Sequence, residues 1–175
     1  MTLATHPFDV LPLPTNGRLI FTPCPGTKGV ALQASIDQLK HAGAAAVITM
    51  MPDDELQEIG VVELPDSVNR TGMQWFQLPV EDDAAPTETF QQCWQENRSQ
   101  IRTLLDSGET IAVHCRGGSG RTGFMAALIL REMGMDGAQA DALVKSLRPK
   151  ALTLPAHTDY LAARDGQPSQ QETSQ

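Results

Sequence analysis

Ten consecutive residues, His114-Cys115-Arg116-Gly117-Gly118-Ser119-Gly120-Arg121-Thr122-Gly123, bring a thiol, two guanidinium groups, an imidazole and a glycine-rich turn together. An apolar run, Thr110-Ile111-Ala112-Val113, precedes them, and Phe124-Met125-Ala126-Ala127-Leu128-Ile129-Leu130 follows. A buried strand therefore feeds a glycine-rich loop that opens a buried helix. In that arrangement the backbone N–H groups of residues 116–121 (Arg116, Gly117, Gly118, Ser119, Gly120, Arg121) and the helix N-terminus converge on one anion site. Cys115, at the strand end, sits in the same positive field, which favours the nucleophilic thiolate. The five residues between Cys115 and Arg121 are enough to wrap a tetrahedral dianion. Arg121 can hold two of its oxygens with a planar fork, where a lysine would supply only a point charge. Gly117, Gly118 and Gly120 let the chain curl with its amides inward. The hydroxyl of Thr122 follows where it can hydrogen-bond the thiolate. The chemistry implied is nucleophilic attack on a bound phosphate ester.

Cleavage of such an ester also needs a proton on the leaving oxygen. Glu81, Asp82 and Asp83 are the candidates, because they lie between a strand-like run and a helix start, in a segment bounded by Pro79 and Pro86. Three adjacent acids can equally be a solvated loop. His114 beside the nucleophile is open to two readings, general base or buttress of the loop. Arg116 could bind a second anionic group or stand on the rim. Lys28 reads as a surface lysine or a cation near the same rim, Cys24 as an unreactive loop thiol or a redox partner of Cys115, and the methionines as core filler.

The elements that must carry these residues are legible as alternating strands and helices. Arg18-Leu19-Ile20-Phe21 reads as a first strand. Leu32, Ile36 and Leu39 recur at helical spacing up to Gly43. Ala44 to Met51 is a continuous apolar run of strand length, as in a buried parallel strand. Pro52-Asp53-Asp54-Glu55 opens a helix with acids in its first turn. Met73 to Leu78 is a further strand. Thr87 caps a long helix with Phe90, Trp94, Ile101, Leu104 and Leu105 on one face, and Gly108 ends it. A helix from Arg121 to about Met133 is apolar nearly all round. Asp136 with Gln139 opens the next, which ends before Pro149, and a short helix is expected near 155–164. The expected fold is an α/β domain, a central, mainly parallel sheet with helices on both faces and the crevice at the carboxyl ends of the strands. Residues 1–17 read as an irregular N-terminal arm, 18–165 as the domain and 166–175 as a polar, structureless tail.

The loop pattern His-Cys-x-x-Gly-x-x-Arg-Thr resembles the signature of the cysteine-dependent protein tyrosine phosphatases, and the short chain resembles their dual-specificity branch. Ile20 to Lys28, the 79–86 loop, and Leu147-Arg148-Pro149-Lys150 with Tyr160-Leu161 look like the kinase-associated phosphatase subgroup. The resemblance covers about residues 18–163. It implies the protein tyrosine phosphatase-like fold, a cysteinyl-phosphate intermediate on Cys115, Arg121 as the phosphate-holding arginine and no cofactor or metal. It also implies a buttressing role for His114 and places the general acid on Asp82 rather than Asp83, with Glu81 the least suited. At Thr153 and His157 the chain departs from relatives that carry glutamine there, which leaves open what orients the hydrolytic water.

The chain has 175 residues, enough for one domain with a core, and is 41% apolar. A net charge of −8 argues against nucleic acid or an anionic membrane surface as partner. Three scattered cysteines, Cys24, Cys93 and Cys115, fit free thiols in a reducing compartment. With no signal-like or long apolar segment, a cytoplasmic protein is expected. The expected substrate is a phosphorylated protein or a small phosphomonoester. The alternatives are a phosphoinositide or inositol phosphate phosphatase and a non-catalytic phosphoprotein-binding module. A rhodanese-type sulfurtransferase suits the loop poorly.

Overall fold

The computed structural model describes residues 5–166. Among them the chain forms a five-stranded sheet. Its strands are β1 (Asp9–Pro12), β2 (Arg18–Thr22), β3 (Ala44–Thr49), β4 (Gln74–Gln77) and β5 (Thr110–His114), in the order β1-β2-β5-β3-β4. β2, β5, β3 and β4 run parallel, and β1 is antiparallel to β2. β5 is central, so the strand that leads into Cys115 is shielded on both edges.

Alternation along each strand divides the core in two. Leu19 and Phe21 of β2, Ala46 and Ile48 of β3, and Ile111 and Val113 of β5 face one cluster. Ile20, Val47 and Ala112 face the other. The larger cluster is completed by α4 (Glu88–Asp106), α5 (Gly120–Glu132), α6 (Gly137–Leu147) and α7 (Pro155–Asp165). The smaller is covered by α1 (Leu32–His41), α2 (Asp53–Glu58) and α3 (Leu64–Arg70), through Ile36, Leu39, Leu56, Leu64 and Val68. The expected mainly parallel α/β architecture with helices on both faces is the one observed. No described helix is long and apolar enough to cross a membrane.

α5 is buried along almost its whole length, from Arg121 to Leu130. It can lie so close to its neighbours because Gly123 has no side chain: a Cβ there would meet the Ala151 Cβ at 2.5 Å. The expected caps are present. Thr87 Oγ1 accepts from the Phe90 N–H at 3.5 Å, and Asp136 accepts from the Gln139 N–H at 3.3 Å.

Two features depart from the sequence reading. α3 is not among the expected elements; Pro65 lies in its first turn, where the missing N–H costs nothing. The segment read as an irregular arm contains β1, whose Asp9–Pro12 pairs with Phe21–Arg18. Pro12 is its last residue, and an edge strand tolerates a proline. The arm is further anchored by His6, whose backbone N–H donates to Gln38 Oε1 at 2.7 Å and whose ring lies 2.6 Å from Thr22 Oγ1. Residues 1–4, and 167–175 of the tail, lie outside the described residues.

Candidate active site

β5 delivers Cys115 to the carboxyl edge of the sheet, where the 116–119 turn leads into the N-terminus of α5. The Gly118 N–H donates to Cys115 Sγ at 3.2 Å, and Thr122 Oγ1 donates to it at 3.1 Å. The loop carbonyls turn the other way. Arg116 O accepts from the Cys24 N–H at 3.1 Å, Gly118 O from Arg148 Nε at 2.8 Å and Ser119 O from the Gly123 N–H at 2.8 Å. With those acceptors bonded outward, the concave side of the loop is left to donors. A chain in this geometry can hold an anion over the sulfur.

Gly118 is the glycine on which this geometry depends. Its φ is +85°, and a Cβ there would fall 2.7 Å from Pro23 N and 2.8 Å from Thr22 C. The loop is therefore pressed directly against the end of β2. At Gly117 and Gly120 nothing lies within 4 Å of a built Cβ and φ is not left-handed, so the freedom expected of three glycines is needed at one.

Arg121 is 2% exposed. Its Nη1 donates to Glu55 Oε1 at 2.7 Å and to Val80 O at 2.9 Å, and its Nη2 donates to Glu55 Oε2 at 2.9 Å. Asp82 Oδ1 lies 3.6 Å from the same Nη2. Burial opposes the charge, but the bonds to Glu55 outweigh it and hold the guanidinium above its ordinary pKa. The bidentate pair leaves Nε as a buried N–H with no partner among the described residues. Glu55 was missed as a site residue. Acids in the first turn of α2 are explained by the helix dipole alone, and nothing in the sequence sets Glu55 apart from Asp53 and Asp54.

The acidic loop is attached to the sheet rather than free. The Leu78 N–H donates to Thr49 O at 2.9 Å and the Val80 N–H to Met50 O at 3.0 Å, which extends the β4 pairing past its end. Val80 O then meets Arg121, and Asp82 follows two residues on. Glu81, Asp82 and Asp83 are all exposed, Asp82 by 62%. Asp83 takes up the turn with φ +56°.

His114 does not touch the sulfur through its ring. Its Nδ1 lies 3.1 Å from Cys115 O and its Nε2 2.7 Å from Thr49 Oγ1, which accepts from Trp75 Nε1 at 2.8 Å. The Cys115 carbonyl can only accept, so Nδ1–H donates to it, and in the neutral ring Nε2 then accepts from the Thr49 hydroxyl. Complete burial pulls the ring down to a pKa of about 4. A neutral imidazole in this chain is bonded between the Cys115 carbonyl and Thr49. Thr49 and Trp75 were not singled out in the sequence.

Arg148 ties the loop to the part of the chain least legible from the sequence. Besides Gly118 O, it donates from Nη1 to Asp9 Oδ2 at 2.7 Å and from Nη2 to Phe21 O at 3.3 Å. Among the other thiols, burial pushes Cys24 up to about 12. All three cysteines are free. Thr153 donates to Lys150 O at 3.0 Å, a local turn bond. His157 is buried beside Phe124, ring centroids 5.0 Å apart, with Nε2 unpartnered among the described residues.

The buried histidines give a sign to the acid stability. His6, His114 and His157 are all held below their ordinary pKa, first by burial. The unfolded chain binds those protons near 6.5 and the folded chain does not, so stability falls as pH falls. For His114 the displacement from 6.5 to about 4 corresponds to about 3 kcal/mol. Thermal melts should therefore show a falling Tm from pH 6.5 toward 4, and His114→Gln should flatten that slope. A slope unchanged by the substitution would contradict the buried neutral ring.

A central parallel sheet, a thiol at its carboxyl edge and an anion-shaped loop entering a buried helix define the architecture of cysteine-dependent phosphatases. The chain belongs to the family described as polymorphic toxin system, DSP-PTPase phosphatase (Tc-R-P), whose model matches residues 25–135. Cyclin-dependent kinase inhibitor 3 of Rattus norvegicus is 27% identical over 117 residues, covering 67% of this chain and 53% of that protein. The Mus musculus protein of the same name is 28% identical over 99 residues, covering 57% and 46%. The chain thus matches about half the length of these relatives. Among solved structures, kinase associated phosphatase with its catalytic-site cysteine changed to serine superposes with a TM-score of 0.79 at 22% identity, over 94% of this chain and 97% of that one. Human DUSP28 superposes at 0.65 with 18% identity, over 94% and 97%. At these identities the structural likeness is one of fold.

Proposed function

We propose that the protein hydrolyses phosphate monoesters of phosphorylated protein through a cysteinyl-phosphate intermediate, as a dual-specificity-type protein tyrosine phosphatase. The observation that carries this reading is the sulfur itself. Cys115 Sγ accepts two hydrogen bonds, from Gly118 N–H and Thr122 Oγ1, beneath a loop in which the carbonyls of Arg116, Gly118 and Ser119 are bonded to other donors of the protein. That is a site for an anionic sulfur under an anionic ligand. Family membership supports the same reaction class.

In the proposed mechanism, the ester's phosphoryl group enters the loop and two of its oxygens meet Arg121, including its unpartnered Nε. The Cys115 thiolate attacks phosphorus in line, forming the S–P bond as the P–O bond to the leaving group breaks. Asp82 gives its proton to the departing oxygen. Water, deprotonated by Asp82, then attacks phosphorus and breaks the S–P bond, releasing inorganic phosphate and regenerating the thiolate. Thr122 donates to the sulfur as it leaves. Glu55 and Val80 hold the guanidinium so that its fork does not have to be ordered during the reaction. Asp82, rather than Asp83, is supported as the acid by its 3.6 Å approach to Arg121.

Alkylation tests the central element. Iodoacetate near pH 6.5 should label Cys115 and spare Cys24, whose thiol is pushed up to about 12. Phosphate or vanadate should protect Cys115. Equal labelling of the two, or no protection, would overturn the proposed site.

A further inference from the structure

We infer that the phosphate ester this site takes is carried on a basic polypeptide segment, with cationic side chains close to the phosphorylated residue. The inference rests on the phosphatase reading of the same cleft and adds the chemistry of its rim. A cavity of about 180 Å³ is lined by Asp54, Glu55, Glu58, Glu81, Asp82 and Arg116. It joins α2 to the acidic loop beside the phosphate loop.

The charges in that lining are not equivalent. Glu55 is committed to Arg121, and Asp82 lies against the same guanidinium. Asp54, Glu58 and Glu81 are exposed and have no cationic partner among the described residues, and Arg116 is the base that stands with them. Carboxylates around an anion site weaken its hold on a bare anion. They strengthen it when the ligand carries cations beside the anion.

A second, independent feature sets what lies in the centre. Arg121 is 2% exposed, and its Nε is a buried donor without an acceptor among the described residues. A buried N–H of a charged group left unbonded is costly, and an oxyanion ligand relieves it. The floor of the cleft therefore calls for an anion while its rim calls for cations. The rim carboxylates come from α2 and from the acidic loop and line one cavity, so lysines or arginines beside the phosphorylated residue can be met by both elements. An inositol polyphosphate or a nucleic acid end would bring further negative charge against the same rim.

The test uses the full chain and three phosphotyrosine peptides of equal length, with lysine, alanine or glutamate at the flanking positions, plus a small aryl phosphate and an inositol phosphate. At low salt kcat/KM should run basic over neutral over acidic, with about tenfold between basic and neutral, the product of a few exposed ion pairs. The order should compress at high salt as screening grows. The double substitution Glu58→Lys, Glu81→Lys should lower the basic-to-neutral ratio to about one or below. Turnover of the aryl phosphate without that order among the peptides would overturn the inference and leave the phosphatase reading standing, as would preference for the inositol phosphate. No turnover of any of them would overturn both.

Discussion

Replacing Cys115 with serine is expected to lower kcat on an aryl phosphate by about 10⁴–10⁶, the scale lost when the nucleophile is removed from a site that acts as a unit. The two donors to the sulfur, Gly118 N–H at 3.2 Å and Thr122 Oγ1 at 3.1 Å, stabilise an anion there. A serine hydroxyl stays protonated in the same field, and an oxygen–phosphorus bond, once formed, has no good leaving group. The fold should not suffer, since the change removes little volume at a buried strand end. Thermal unfolding should move by less than about 1 kcal/mol. Binding should survive too, because the proposed anion contacts come from the loop and Arg121. The substituted protein should therefore retain phosphotyrosine peptides on a column and release them to vanadate. Residual turnover near one part in a hundred would mean that Cys115 is not the nucleophile.

Asp82→Asn is expected to cost about 10²–10⁴ in turnover, the usual worth of a positioned general acid. The carboxylate stands 3.6 Å from Arg121 Nη2, but Glu55 and Val80 hold the guanidinium independently, so the fork should remain in place without it. Affinity for phosphate should be unchanged or tighter, as a negative charge near the dianion is removed. The loss should depend on the leaving group. An aryl phosphate with a fluorinated phenol needs little protonation and should suffer far less than one with a poor leaving group. The descending limb of the pH–rate profile at higher pH, where a general acid loses its proton, should flatten. Asp83→Asn is the internal control. With φ at +56°, Asp83 occupies the left-handed region, which asparagine also tolerates, so the turn should persist and the rate hold. If the large, leaving-group-dependent loss falls on Asp83 instead, the acid lies one residue along and the rest of the mechanism stands.

The chemistry-bearing loop and most of the elements around it, β1 and α3 excepted, are legible in the chain alone. Cys115, Arg121 and Thr122 are adjacent in the chain, and short-range geometry from a strand through a glycine turn into a helix dictates how they can meet. Helix identity followed from the 3.6-residue recurrence of apolar side chains and strand identity from short continuous apolar runs, which are local properties. Tertiary structure decided what reaches the loop from a distance. Glu55 lies 66 residues from Arg121 and is bonded to it through both oxygens, yet in the sequence it is one of three acids opening a helix. Thr49 and Trp75 join His114 only because β3 stands between β5 and β4 in the sheet. Asp9 orients Arg148, and Arg148 holds Gly118, only because β1 adds antiparallel to β2. Which glycine is indispensable was decided in the same way: Gly118 abuts the end of β2, and Gly117 and Gly120 face open space. Local sequence encodes the thiol and its glycine-rich loop, because both are built from neighbours in the chain. The pairing of a buried arginine and the orientation of a buried imidazole depend on which strands lie side by side, and strand order is a property of the packed sheet.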